Sequence, residues 1–218
     1  MKFHPAGKPI IRNTIIIVLI INLATWLLAS CAIVGSIISF GTLILLALVL
    51  QFFRYPDRKI TLNSKQVLAP ADGKICTIEE TEENEHLHQK CKKVSIFMSP
   101  LNVHINWIPA PGTITFVKHK KGEFYAAFKD KSAEENERTC VAIKLKDGRE
   151  IMANQVAGAM ARRILNFLHV GQLVTQDMEM GFIRFGSRVD LYLPLDTEIK
   201  VKLGDKVTGS QTIIGELS

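Results

Sequence analysis

The feature that most limits what this chain can become is an uncharged run near its start. From Asn13 to Phe53 there is no Asp, Glu, Lys or Arg, and the stretch is mostly Ile, Leu, Val and Ala. One helical crossing of a bilayer takes about 20 apolar residues. The run therefore holds two crossings joined by a tight turn near Ser30 to Ser36, where Gly35 sits; a single span, steeply tilted or partly re-entrant, is the alternative. A cleaved signal peptide does not fit, because its apolar segment covers only about 7–15 residues and ends at a small-residue site before a polar mature start. Lys2, Lys8 and Arg12 precede the run and Arg54, Arg58, Lys59 and Lys65 follow it. By the positive-inside tendency both ends lie on the cytoplasmic side. Residues 1–53 are thus read as a membrane anchor and residues 54–218 as one globular domain.

The formal charge of +6 and isoelectric point near 9.2 raise the question of nucleic acid. The basic residues are interspersed with acids and lack an aromatic-rich basic patch, so an anionic membrane surface is the simpler partner and nucleic acid is not expected. Cys31, Cys76, Cys91 and Cys140 show no CxxC or Cys/His ligand spacing. They read as reduced thiols of a cytoplasmic protein, with no metal site.

Beyond Arg54 short β-branched runs alternate with Gly, Pro, Asn and Asp, which is the pattern of a β-rich fold. The expected strands are Gln66–Leu68, Gly73–Glu79, Lys92–Met98, Gly112–Lys118, Thr139–Leu145, Glu150–Gln155, Arg188–Leu193 and Ile199–Val201. One helix is expected at Ala157–Phe167, AGAMARRILNF, from its apolar spacing. The polar stretch from Lys118 to Arg138 is long for a connection, and loops of that length tend to be functional or mobile. Two phrases echo each other, APADGKI at 69–75 and GDKVTGSQTIIG at 204–215. Both resemble the hairpin turns of biotinyl and lipoyl carrier domains, but the modifiable lysine of a carrier tip is missing. The expected fold class is β-rich α+β: a carrier-like β-sandwich or barrel with a small helical layer, preceded by a transmembrane helical hairpin.

The strongest local signal for chemistry is MGFIRFGSRVDLYLP at 180–194. Gly186 leaves its carbonyl unshielded beside the Ser187 hydroxyl. A Gly-Ser dipeptide by itself is most often an ordinary turn, so the wider context has to carry the reading. Seven phrases occur in one order: FHPAG at 3–7, FFRYPDR at 52–58, APADGKI at 69–75, FMSPLNVHIN at 97–106, NER at 136–138, VAGAMARRI at 156–164 and MGFIRFGSRVD at 180–190. On these the chain resembles, over nearly its whole length, the short bacterial form of the phosphatidylserine decarboxylase family.

That resemblance implies a proenzyme that cuts itself between Gly186 and Ser187. Ser187 becomes a covalent pyruvoyl group, with Asp72 and His104 as its activating partners and no diffusible cofactor. The products are residues 1–186, the β chain, and 187–218, the α chain, which form a heterodimer; a higher oligomer stays open. The pyruvoyl group then forms a Schiff base with the serine headgroup and accepts electrons as CO2 leaves, converting phosphatidylserine to phosphatidylethanolamine. The residue types suit this independently, since a serine hydroxyl needs a base and an imidazole base is held in its useful tautomer by a carboxylate.

Each partner also has a plainer reading. Asp72 in PADG is a turn former, and a lone histidine in VHINWIP is often a satisfied core residue. Longer family members carry a second histidine three positions after the first, where this chain has Trp107. Whether His104 serves self-cleavage, decarboxylation or both is therefore open. Arg162 and Arg163 suit a lipid phosphate, because a guanidinium fork matches two phosphate oxygens. Asn136 and Arg138, flanking Glu137, are candidates to order over the headgroup. The rivals are a decarboxylase of a variant serine phospholipid and a non-enzymatic membrane adaptor with a carrier-like barrel, which would run as one intact chain on a denaturing gel.

Overall fold

The computed structural model describes residues 2–28, 32–123, 136–158, 163–184 and 187–217. Two compact units divide at Pro56 and Asp57.

The first unit is a helical hairpin closed by its own flanks. Strand β1 (Lys2–Phe3) leads through a 3-10 turn at Pro5–Gly7 into helix α1 (Lys8–Leu28); helix α2 (Ala32–Phe52) runs into strand β2 (Arg54–Tyr55). Lys2 pairs with Tyr55 and Phe3 with Arg54. The His4 N–H donates to the Phe53 carbonyl at 2.9 Å. Gly7 is required at this closure, because a Cβ there would fall 2.3 Å from the Phe53 ring. Both helices are long and apolar enough to cross a membrane, so two helices, and not one tilted span, occupy the uncharged run. The Asn22 amide donates to the Val18 carbonyl at 2.8 Å and to Thr42 Oγ1 at 2.9 Å. A polar side chain in hydrocarbon needs such an internal partner.

The second unit is built from β3 (Gln66–Leu68), β4 (Gly73–Glu83), β5 (Gln89–Met98), β6 (Ile105–Trp107), β7 (Gly112–Lys120), β8 (Arg138–Lys144), β9 (Glu150–Ala157), β10 (Ile164–Asn166), β11 (Leu173–Val174), β12 (Glu179–Ile183), β13 (Ser187–Leu193), β14 (Glu198–Ile199), β15 (Lys206–Val207) and β16 (Ile213–Glu216). An eight-stranded antiparallel sheet has the order β11-β7-β8-β9-β13-β5-β4-β15, and two three-stranded sheets have the orders β10-β12-β6 and β14-β16-β3. Strand β13 shows how sequence alternation sets the layers. Val189, Leu191 and Leu193 enter the main core with Ile96, Val94, Ile151 and Ala153, while Arg188, Asp190 and Tyr192 take the opposite face, as a period of two requires.

Seven of the eight expected strands are present, several of them longer than anticipated; the eighth, Ile199–Val201, shares only Ile199 with β14, which runs over Glu198–Ile199. The two echoing phrases pair with each other: Gly73 opposes Val207, Lys74 opposes Lys206, and the Ile75 N–H donates to the Asp205 carbonyl at 2.9 Å. The expected helix at Ala157–Phe167 is a correction. Ala157 ends β9, Ile164–Asn166 form β10, and residues 159–162 lie outside the described residues. A short apolar run fits either period, and pairing of Ile164, Leu165 and Asn166 with Ile183, Phe182 and Gly181 decides it. Among the described residues after Pro56 there is no α-helix, so the small helical layer is not seen there.

Candidate active site

Ser187 opens β13 in the middle of the large sheet, between Met98 of β5 and Ala157 of β9. It is fully buried, and its hydroxyl donates to the Met98 Sδ at 3.2 Å. A thioether is a weak acceptor, so this hydroxyl is desolvated without being strongly held. Gly186, the other half of the expected cleavage site, lies outside the described residues.

His104 precedes β6 and is also fully buried. The turn that delivers it is fixed by Asn102, whose side-chain oxygen accepts from the Ser99 N–H at 2.9 Å and the Ser99 hydroxyl at 2.8 Å. His104 Nδ1 lies 3.0 Å from the Asn102 carbonyl. A carbonyl only accepts, so that contact places the proton on Nδ1 and leaves Nε2 as the basic nitrogen. The His104 carbonyl accepts from the Ile183 N–H at 3.3 Å, which ties the histidine's backbone to the strand leading into Ser187.

Asp72 is placed differently from the expectation. Its Oδ2 accepts from Arg58 Nη2 at 2.7 Å and its Oδ1 from the Gly209 N–H at 2.8 Å. Arg58 also donates to the Gly209 carbonyl at 2.7 Å and lies 4.4 Å over the Trp107 ring. Gly209 permits this stacking, since a Cβ there would come within 2.6 Å of Trp107. Asp72 thus belongs to a clasp that holds Arg58, Gly209 and Trp107, and its hydrogen bonds do not include His104. The position of the longer members' second histidine is the indole face that this clasp covers.

A set of amides unread in the sequence reaches the Met98 sulfur that Ser187 also meets. Asn106 Nδ2 donates to the same Met98 sulfur at 3.6 Å, and its Oδ1 accepts from Gln155 Nε2 at 2.8 Å. Gln155 Oε1 in turn accepts from Asn166 Nδ2 at 3.0 Å. Asn106 and Gln155 are fully buried. The only signal for them was a polar residue at a core-facing position of an apolar strand, and Met98 gave no signal at all.

The headgroup candidates separate. Arg162 lies outside the described residues, while Arg163 is exposed and its carbonyl accepts from the Arg184 N–H at 3.2 Å. Asn136 is buried, and its amide donates to the carbonyl of Ala157, the residue opposite Ser187, at 2.6 Å. Arg138 stands 4.0 Å from Glu85, a carboxylate that also holds Lys118 at 3.1 Å and Lys120. Burial pushes the thiols of Cys91 and Cys140 up to about 11, so both are protonated near neutral pH. No cluster of three or more metal-ligating side chains occurs among the described residues.

The described residues thus form a β-rich unit that buries a serine at the start of a central strand and a histidine just before β6. The sequence model of the phosphatidylserine decarboxylase family matches residues 45–215. A phosphatidylserine decarboxylase proenzyme from Parabacteroides distasonis is 45% identical over 219 residues, covering 100% of both chains. Proteins of the same description from Porphyromonas gingivalis (43% identical, 100% of this chain and 99% of the relative) and Bacteroides fragilis (44%, 100% and 96%) are similar to it over the same span. The chain belongs to the phosphatidylserine decarboxylase family.

Proposed function

We propose that the chain is a proenzyme that cuts itself between Gly186 and Ser187, carries the resulting pyruvoyl group at position 187, and decarboxylates phosphatidylserine to phosphatidylethanolamine. The observation that carries this reading is the Ser187 hydroxyl, fully buried, with a thioether as its hydrogen-bond partner among the described residues. A residue in that setting is poorly explained as structure and well suited to reaction with its own backbone.

His104, with Nε2 as its basic nitrogen, takes the hydroxyl proton. Ser187 Oγ bonds to the Gly186 carbonyl carbon and the peptide C–N bond breaks, leaving an ester and a free amine. Loss of the residue-187 α-proton then breaks the Cβ–Oγ bond, and Gly186 departs as a carboxylate that keeps the former serine oxygen. Water replaces the nitrogen, which leaves as ammonia. The pyruvoyl group is no larger than the serine it replaces, so it keeps the place between Met98 and Ala157 that Ser187 has in the sheet. The pyruvoyl carbonyl supplies the electron acceptor that loss of CO2 requires.

After the cut the fragments stay together through the sheets. Strand β13 lies between β5 and β9, and β15 and β16 pair with β4 and β3, so residues 187–218 remain a component of the unit as a heterodimer with residues 1–186. Asp72 acts on the site through Trp107 and β6, keeping His104 in place. Arg163, exposed and bonded to the backbone just before the cut, is the best placed of the four candidates for the lipid phosphate, with Arg162 beside it in sequence. Residues 1–53 hold the enzyme at a bacterial cell membrane with the β-rich domain on the cytoplasmic side, where its substrate's acyl chains stay in the bilayer. Intact-mass measurement tests the reading: two fragments are expected, the smaller lighter by one ammonia than residues 187–218 with a free serine amine. A single uncut chain from active membranes overturns it.

A further inference from the structure

Asn106 has an arrangement that core packing does not explain. Strands β6, β12 and β10 place Asn106, Gly181 and Asn166 in one row, for Gly181 opposes both asparagines. Gly181 leaves a gap, and the Gln155 amide from the large sheet fills it; a Cβ on Gly181 would lie 2.7 Å from Gln155 Nε2 and 2.1 Å from the Leu165 carbonyl. Gln155 therefore bridges the two asparagines across facing sheets. Its donor goes to Asn106 Oδ1, which fixes that amide's orientation and aims Nδ2 at the Met98 sulfur. The sulfur is the acceptor of the Ser187 hydroxyl as well. Two buried donors share one weak acceptor. Leaving a buried N–H so poorly matched costs free energy, and groups that persist in this state are often those whose proper partner appears only during reaction.

We propose that the Asn106 amide is the donor that receives the serine oxygen as it departs with Gly186, and that Gln155 and Asn166 are positioning residues for it. The inference rests on the self-cleavage reading above. In the hydroxyl the oxygen is a donor with its own proton and has no need of Asn106. During the elimination the Cβ–Oγ bond breaks, its electron pair stays on the oxygen, and the negative charge of a carboxylate develops on the atom that shares the Met98 sulfur with the amide. A donor fixed in advance and shielded from water stabilises that charge without reorganising. Asn106 thus acts on the second half of self-cleavage, after the shift from amide to ester.

The test uses the full-length chain and hydroxylamine, which splits an ester between residues 186 and 187 and leaves the amide intact. The wild-type chain should process to completion. If it stays whole and resists hydroxylamine, the self-cleavage reading itself fails. Given processing of the wild type, Asn106→Asp, which keeps the acceptor for Gln155 and loses the donor, should complete cleavage roughly 100-fold more slowly, as for loss of one oxyanion donor. Its accumulated full-length chain should be split by hydroxylamine, releasing residues 187–218 with an intact amino-terminal serine. Gln155→Met, which does not touch Ser187, should slow cleavage by a smaller factor with the same ester build-up, so a folding defect at Asn106 alone does not decide the matter. Asn106→Asp processing at the wild-type rate overturns the proposal. So does accumulation of a hydroxylamine-resistant chain in folded variants, which would place the block before the ester.

Discussion

The helical hairpin and the β unit solve the same problem, where to put polar atoms, in opposite ways. In the hairpin the large apolar side chains point outward, with Leu19 64% and Trp26 80% exposed, and the few polar groups bond inward or to their own backbone, as Asn22, Thr25 and Ser36 do. In the β unit the apolar side chains fill the interior, and the polar groups of the site, His104, Asn106, Gln155 and Ser187, are buried among them. The outward apolar surface calls for an apolar surrounding such as a membrane offers. Enclosed polar groups have lost their water and depend on partners within the fold. On the proposed function, location and chemistry are carried by different units and should be separable.

The sharpest way to break this division is at Ser187. Ser187→Ala should leave an uncut, folded chain with no decarboxylase activity, read on a denaturing gel and by product assay. Normal processing of that variant would remove the β unit's claim to the chemistry. His104→Ala should slow self-cleavage by about 10²–10⁴-fold, the usual contribution of a positioned base. A variant that still cleaves but does not decarboxylate would move His104 to the second reaction.

Deleting residues 1–53 sharpens the comparison from the other side. The truncated chain should self-cleave and act on a short-chain soluble analogue, yet lose about 10²-fold or more on bilayer substrate, the order of gain that tethering gives through effective concentration. A folded truncation that fails to cleave would show that the hairpin helps build the site. Asp72→Asn should have a milder effect on chemistry than His104→Ala, because it reaches His104 only through the clasp. Breaking the largely buried pair with Arg58 should instead cost stability, on the order of 3 kcal/mol, measurable by thermal melting.

The smallest effect concerns Glu85. Burial raises its pKa, and Lys120 and Lys118 more than reverse this, so the carboxyl titrates below its ordinary value. A depressed folded-state pKa gives stability that is present above the unfolded value and lost as pH falls through the folded one. Glu85→Gln should therefore lower stability by less than about 1 kcal/mol near neutral pH, with the difference from wild type vanishing in acid. A difference that persists there would point to packing.

Much of the fold was legible because its causes are local. The uncharged run announced the hairpin, and β-branched stretches bounded by Gly and Pro announced β3, β4, β5, β7, β8, β9 and β13. The misread stretch was Ala157–Phe167, where spacing suited a helix and antiparallel pairing with β12 overrode it. Short strands such as β6, β10 and β12 carry too few residues to show a period and exist because neighbours supply their hydrogen bonds. At the site, Ser187 and His104 stood out as residue types in recognisable phrases. Asp72 was noticed too, but its partner Arg58 was read only as a charge flanking the apolar run, since nothing in sequence order sets a guanidinium against Trp107 and Gly209.

By itself the sequence determined which segment can face lipid, in which phrase the Gly186-Ser187 pair stands, and which residues can act as base, because these depend on composition, residue order and side-chain chemistry. Only the tertiary structure decided that the Ser187 hydroxyl rests on Met98, that Asn106 shares that sulfur, and that Gln155 crosses the gap at Gly181 to hold it. Those contacts join residues as far as 89 positions apart. They arise from the register of facing sheets, which is fixed by the whole core at once and by no local pattern.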